Sequence, residues 1–245
     1  MLDRRVVTAG LGSLIVGSAI SRAAGAPSTT LAIDHVAMGV RNLFEGSARI
    51  SREMGLPSHE GGWFPTGGMA YRYFRTGDNT VLEVNAITDP YLAETNPHLG
   101  QMLARFRDGD CFIGWAVRVR SRQELQAIAR RLGAEVSEAT ATRNVDGSAA
   151  PAYIHVPDTA ATWAKGLPNF TYWDGTPKPI APGPVAPSGF AWLELGGSAE
   201  EMAKWIGDGM AALPLRFNGK APGIHAVGIN SNKGIIELRR HPMQI

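Results

Sequence analysis

Three times along this chain an alternating, strand-like run is followed at once by a capped helix. Asn42 with Glu45, Ser121 with Glu124 and Ser198 with Glu201 each set a hydrogen-bonding side chain at a helix start and a glutamate three residues later. Such a side chain accepts a backbone N–H that the helix leaves unpaired, and the glutamate reaches back to do the same. Each helix closes near a glycine, at Gly55, at Gly133 and at Gly207 or Gly209, where a left-handed turn costs least. Asn42 and Ser121 are 79 residues apart, and Ser121 and Ser198 are 77 apart. One such pattern arises by chance; three in register predict a repeated unit.

Strands fill the rest of each repeat. Leu31–Val40, Phe112–Val119 and Phe190–Leu195 precede the three helices. Gly62–Phe64, Met69–Arg75 and Thr80–Ile87 follow the first. Glu135–Arg143, Pro151–Val156 and Asn169–Trp173 follow the second; Leu215–Asn218, Ile224–Ile229 and Gly234–Arg239 follow the third. Turn residues at Gly77-Asp78-Asn79, Asp146-Gly147 and Asn232-Lys233-Gly234 separate them. The expected fold is therefore α+β, with βαβββ units whose curved mixed sheets surround a cleft, the natural place for a ligand. Residues 31–174 make two units and 190–240 a third. A connector at 175–189, with five prolines between Pro177 and Pro187, pairs poorly with any strand.

Charge bounds the partners. The 245 residues carry a formal net charge of +2, and residues 1–26 hold Arg4, Arg5 and Arg22 against Asp3 alone. Without those three arginines and one aspartate the net charge is zero, which gives no electrostatic hold on a phosphate backbone or an anionic membrane. Paired arginines, a weakly apolar run from Ala9 to Ile20 and Ala24-Gly25-Ala26 have the order of a signal peptide of the twin-arginine type. The run is short of the ~20 residues a membrane-spanning helix needs. The expectation is export through the twin-arginine machinery to the periplasm or beyond, with cleavage after Ala26. The single cysteine, Cys111, allows no internal disulfide, consistent with a chain that folds before export. No Gly-x-Ser-x-Gly elbow follows residue 26, and there is no phosphate-binding glycine loop or cysteine cluster, so serine hydrolysis and nucleotide chemistry are not expected.

Ile33-Asp34-His35-Val36 in the first strand, Leu82-Glu83-Val84 closing the first unit, and Thr88-Asp89-Pro90 after it resemble the glyoxalase-like domain of the vicinal oxygen chelate superfamily. Gly114–Arg118 with its capped helix, Arg143–Gly147, and Leu167-Pro168 running into Trp173-Asp174 extend the resemblance over roughly 31–240. In metal-dependent members each unit gives one ligand from its first strand and one from its last. The resemblance thus implies a divalent metal (Zn, Ni, Mn or Fe) with His35 and Glu83 as ligands. A neutral imidazole and a carboxylate on one face suit such a cation. It would polarise two adjacent oxygens of a substrate.

The second half of the implied site departs from that pattern. Trp115 stands where a further ligand is expected, Tyr172 replaces the acidic residue before Trp173, and Trp192 takes the first-strand place of the third unit. Glu237 takes its last-strand place. Two readings follow. One is a metal-assisted lyase, isomerase or dioxygenase acting on a small vicinal-oxygen compound, with His35, Glu83 and Glu237 as ligands. The other is a metal-free protein that sequesters a small aromatic or apolar molecule in a cleft lined by Trp115, Tyr172, Trp173 and Trp192. His59, His98, His155 and His225 show no ligand spacing and read as structural.

Overall fold

The structure, a computed structural model, describes residues 31–64, 68–139, 143–144, 153–156, 159–172 and 183–243. The segment read as a signal peptide, Trp173 and most of the Pro-rich connector lie outside them. Among the described residues no helix is long and apolar enough to cross a membrane.

The first unit comprises β1 (Ala32–Gly39), α1 (Leu43–Met54), β2 (Ser58–Phe64), β3 (Met69–Gly77) and β4 (Thr80–Ile87). Two helices come next, α2 (Pro90–Glu94) and α3 (Pro97–Asp108). Neither was expected, although Asp89 as cap before Pro90 is a helix-start signal: proline lacks the N–H that the first turn leaves unpaired. The second unit comprises β5 (Cys111–Arg118), α4 (Arg122–Leu132), β6 (Ser137–Ala139), β7 (Arg143–Asn144), β8 (Tyr153–Val156), α5 (Thr159–Ala164) and β9 (Asn169–Tyr172). The third segment comprises β10 (Pro187–Gly196), α6 (Ala199–Ile206), a 3-10 turn (Asp208–Ala212), β11 (Leu215–Phe217), β12 (Gly223–Ser231), β13 (Gly234–Arg239) and β14 (His241–Pro242).

The caps form as the spacing requires. Asn42 Oδ1 accepts from the N–H groups of Phe44 and Glu45, Ser121 Oγ from that of Glu124, and Ser198 Oγ from that of Glu201. Gly55 and Gly133 end α1 and α4 at φ of 69° and 63°, the left-handed region that glycine enters without penalty.

One sheet runs β6-β8-β9-β5-β1-β4-β3-β2-β7, with β14 beside the start of β5. Within it β1 lies parallel to β4, β5 lies parallel to β9, and the first strands β1 and β5 pair antiparallel at the centre. Of the strand expected over Glu135–Arg143 the described residues give β6, which pairs with β8, while β7 pairs with β2 of the first unit.

The third segment keeps the element order but not the pairing. Its four-stranded sheet runs β11-β10-β12-β13, so β10 lies beside the strand that follows its helix and beside β12, with β13 at the edge. The expected likeness of Glu237 to Glu83 fails for this reason: β4 touches β1, whereas β13 is two strands from β10. Both sheets contribute to one apolar core, in which Val36, Phe74, Leu82 and Trp115 join Leu193, Val227 and Leu238 beside α1, α4 and α6. Arg131 of α4 donates to the carbonyls of Lys204, Trp205 and Ile206, which end α6 and attract a cation. Arg240 pairs with Glu53 of α1 and Asp110 ahead of β5.

Candidate active site on the first sheet

Alternation gives the large sheet two faces. Val36, Met38, Leu82, Val84, Phe74 and Trp115 point into the main core. Their neighbours point the other way, and the register sorts these into rows. Arg75, Val81, His35, Ala116 and Asn169 make one row; His59, Tyr73, Glu83, Ala37 and Gly114 make the next. Tyr71, Asn85, Gly39 and Cys111 make a third. His35 and Glu83 thus share a face on adjacent strands, diagonal to one another.

The pairing of β1 with β5 slips between Ile33 and His35, which leaves Asp34 as an extra residue in a β-bulge. The bulge sets Asp34 beside His35 rather than behind it. His35 Nδ1 lies 2.8 Å from Asp34 Oδ1, while Arg118 Nε donates to Asp34 Oδ2 at 2.6 Å. Arg118 also donates to the carbonyl of Asn79 in the β3–β4 turn. Asp34 is buried, at 4% exposure, so its charge depends on these cations. Burial alone would raise its carboxyl, but the His35 and Arg118 contacts hold it below the usual range.

Burial disfavours the imidazolium of His35. The Glu83 carboxylate, then the Asp34 hydrogen bond and charge, overcome that cost and raise it to about 9. Burial also pushes the Glu83 carboxyl up, and Asp34 adds repulsion, against the pull of His35 and a hydrogen bond with Asn85. Below about pH 9 the face therefore presents an imidazolium, beside a carboxyl group whose affinity for a proton is raised. Because the folded value for His35 lies above the ordinary imidazole value of 6.5, its contribution to stability is complete below pH 6.5 and lost as pH rises through about 9. The expected NMR midpoint of the His35 ring is near 9. It should fall in Glu83→Gln, which removes the main raising influence; an unchanged midpoint would separate the two groups.

An apolar cluster fills one end of this face. Phe106 and Met102 of α3 pack with Ala37, Cys111, Ile113 and Met243. The Phe106 ring lies so close to Gly39 that a Cβ there would be 1.9 Å from Cε1, and Trp163 covers Gly114 in the same way. The residues left half-buried beyond the cluster include His35, Val81, Glu83, Tyr73, Tyr71, Arg75 and His59.

The other expected site residues lie elsewhere. Trp115 pairs with Val36, on the face opposite His35, and is 1% exposed in the core, with its indole N–H on the carbonyl of Gly166. Two register shifts between β1 and β5 separate the sequence count from the true pairing. Tyr172 packs against the same core. Trp192 belongs to the second sheet, beneath the Arg216 guanidinium at 4.6 Å. Glu237, on β13, pairs with Arg239 at 2.5 Å. Asp34, Arg118, Tyr73 and Asn85 join the site without a role expected from the sequence, and His59, which reads as structural there, lies beside them. The i, i+2 spacing of Tyr71, Tyr73 and Arg75 before Glu83 was the available signal.

A divalent metal needs three or more converging donors. Here His35 and Glu83 come together, Asp34 is committed to Arg118 and His35, and Glu237 stays away. Among the described residues no three His, Cys, Asp or Glu side chains group as metal ligands. The described donor set does not fit a resident metal.

The family model described as "Glyoxalase-like domain" matches residues 33–208. No curated protein matches the chain. Among solved structures, a hypothetical protein from Staphylococcus aureus is similar at 10% identity and TM-score 0.48, over 88% of this chain and 87% of that one. The methylmalonyl-CoA epimerase of Mycobacterium tuberculosis is similar at 20% identity and TM-score 0.39, over 62% and 92%. The Streptomyces coelicolor methylmalonyl-CoA epimerase in complex with 2-nitronate-propionyl-CoA is similar at 17% identity and TM-score 0.43, over 62% and 100%. With the family match spanning most of the sequence and two strand–helix units paired through β1 and β5, the chain belongs to the glyoxalase-like domain family of the vicinal oxygen chelate superfamily.

Proposed function

We propose that this protein is an isomerase-type enzyme that moves a proton at the carbon beside a carbonyl of a small vicinal-oxygen compound. The observation that carries this reading is the His35–Glu83 pair, half-buried on one face with Asp34 and Arg118 behind it. Glu83 takes the proton from carbon, and burial makes its carboxylate a stronger base. The electron pair of the broken C–H bond moves to the carbonyl oxygen. His35, its Nδ1 turned to Asp34, offers its Nε2–H to that developing oxyanion. Glu83 then delivers the proton to the neighbouring oxygen-bearing carbon of the enediolate, whose C=C electron pair takes it up. The proton of the other hydroxyl passes to the oxyanion, so carbonyl and carbinol exchange places and the reaction is redox-neutral with no co-reactant. Paired groups whose surroundings set one as acid and the other as base are the usual mark of such chemistry.

The metal-assisted lyase or dioxygenase remains the competing reading, and its weakness is the two-donor set. The sequestering protein is the other competing reading; of its expected lining Trp115, Tyr172 and Trp192 lie away from the His35 face, and Trp173 is outside the described residues. We also propose export by the twin-arginine machinery to the periplasm, on the strength of Arg4-Arg5, the short apolar run and Ala24-Gly25-Ala26.

The test is loss of the α-proton NMR signal in D2O for a panel of small 2-oxo and 2-hydroxy carbonyl compounds, before and after chelation. Exchange that survives EDTA is the expected result. Exchange abolished by EDTA and restored by Zn, Ni, Mn or Fe(II) would transfer the chemistry to a metal. Binding without exchange would make the protein a sequestering one.

A further inference from the structure

We infer that Arg118 is the positioning residue of this site: one guanidinium from the second unit ties the turn ahead of Glu83 to the carboxylate that holds His35. The inference rests on the reading of His35 and Glu83 as acid and base.

The backbone holds His35 less firmly than its place on a central strand suggests. On one side, the parallel ladder between β1 and β4 begins at the pair of His35 with Val81. On the other, the ladder between β1 and β5 slips between Ile33 and His35, where Asp34 bulges. His35 therefore stands at the end of one ladder and beside a break in the other. A bulge leaves its extra residue out of the ladder and bends the strand, so contacts between side chains must fix where the next one points. The turn that opens β4 is a second weak point. Asp78 and Asn79 there are exposed, and the register of β3 with β4 shifts between Arg75 and Gly77.

Arg118 spans both places. Its Nε donates to Asp34 Oδ2 at 2.6 Å, and its Nη2 donates to that oxygen and to the Asn79 carbonyl, each at 2.5 Å. The other oxygen of the same carboxylate, Asp34 Oδ1, faces His35 Nδ1 at 2.8 Å. A chain of contacts thus runs from the start of the strand bearing Glu83, through Arg118 and Asp34, to the imidazole. It forms where the two units pair, because Arg118 is the last residue of β5. Balancing the buried charge of Asp34 requires the first contact and not the one with the turn. A planar guanidinium gives its hydrogens in fixed directions, which a flexible ammonium does not. Misplacing a reacting group by about 1 Å costs about 10²-fold in rate, so such a tie has a kinetic consequence.

The test is Arg118→Lys in the full chain, which keeps a positive charge beside Asp34 and gives up the planar grip. Urea unfolding should give a midpoint close to the parent value. Exchange of the substrate α-proton should show kcat lowered about 10–10²-fold with KM within about twofold. In protein labelled with 15N at histidine, the Nδ1–H resonance of His35 should broaden or vanish. Asp34→Asn breaks the same link, so the double variant should lose little more than the worse single one. A parental Nδ1–H resonance in Arg118→Lys would overturn the inference whatever the rate, and so would losses that only track unfolded protein. The resonance is read without turnover. Its loss in Arg118→Lys, with no exchange in the parent, removes the proposed reaction and leaves the tie; exchange in the parent with the resonance unmoved removes the tie alone.

Discussion

Replacing Trp115 with alanine should lower the unfolding free energy by about 3–5 kcal/mol, the range for deleting a buried aromatic side chain. Its ring is 1% exposed and belongs to the core shared by both sheets. Truncation removes its apolar contacts and leaves a cavity that neighbours anchored in the sheet fill only in part. It also leaves the Gly166 carbonyl without the indole N–H that now reaches it at 2.9 Å. Trp115→Phe separates the two contributions, because it keeps most of the volume and loses the donor; about 1–2 kcal/mol is expected. Urea unfolding followed by circular dichroism reads both variants. A cost below about 1 kcal/mol for Trp115→Ala, with ligand binding lost instead, would return this side chain to the cleft.

The difference between those two places for Trp115 shows where sequence stops informing structure. Helix caps are local, so Asn42, Ser121 and Ser198 could be found from spacing, and with them the strand–helix order of all three segments. His35 and Glu83 were also legible, because β1 and β4 follow the pattern of the resembled family and pair without a slip. The β1–β5 contact is different. Its two register shifts are set by long-range pairing, and one slip moves a residue to the opposite face. That moved Trp115 into the core and brought Asp34 alongside His35. Glu237 misled for a related reason: β-α-β-β-β order in the third segment does not say which strands lie side by side. The helix α2 had a readable start signal at Asp89-Pro90, but nothing local shows that Phe106 of α3 will rest on Gly39.

The largest kinetic effect should come from Glu83. Glu83→Gln keeps the size and the hydrogen bonding of the side chain but has no basic oxygen to accept a carbon-bound proton, and general acid–base catalysis is worth about 10²–10⁴-fold. A rate loss of that order is expected, with little change in KM, since removal of a group used only in the transition state lowers kcat and kcat/KM together. The same change relieves the burial of one charge and lowers the affinity of His35 for its proton, so the two effects must be read apart. His35→Gln provides the separation. It retains an N–H donor for the oxyanion without the positive charge, and should lose less than Glu83→Gln while removing the alkaline limb of the rate profile near pH 9. Measured as α-proton exchange against pH, the parent should lose activity on the acid side as Glu83 is protonated and on the alkaline side as His35 gives up its proton. A profile in which Glu83→Gln retains parental exchange would leave the carboxylate a structural partner of the imidazolium and place the base elsewhere on the face.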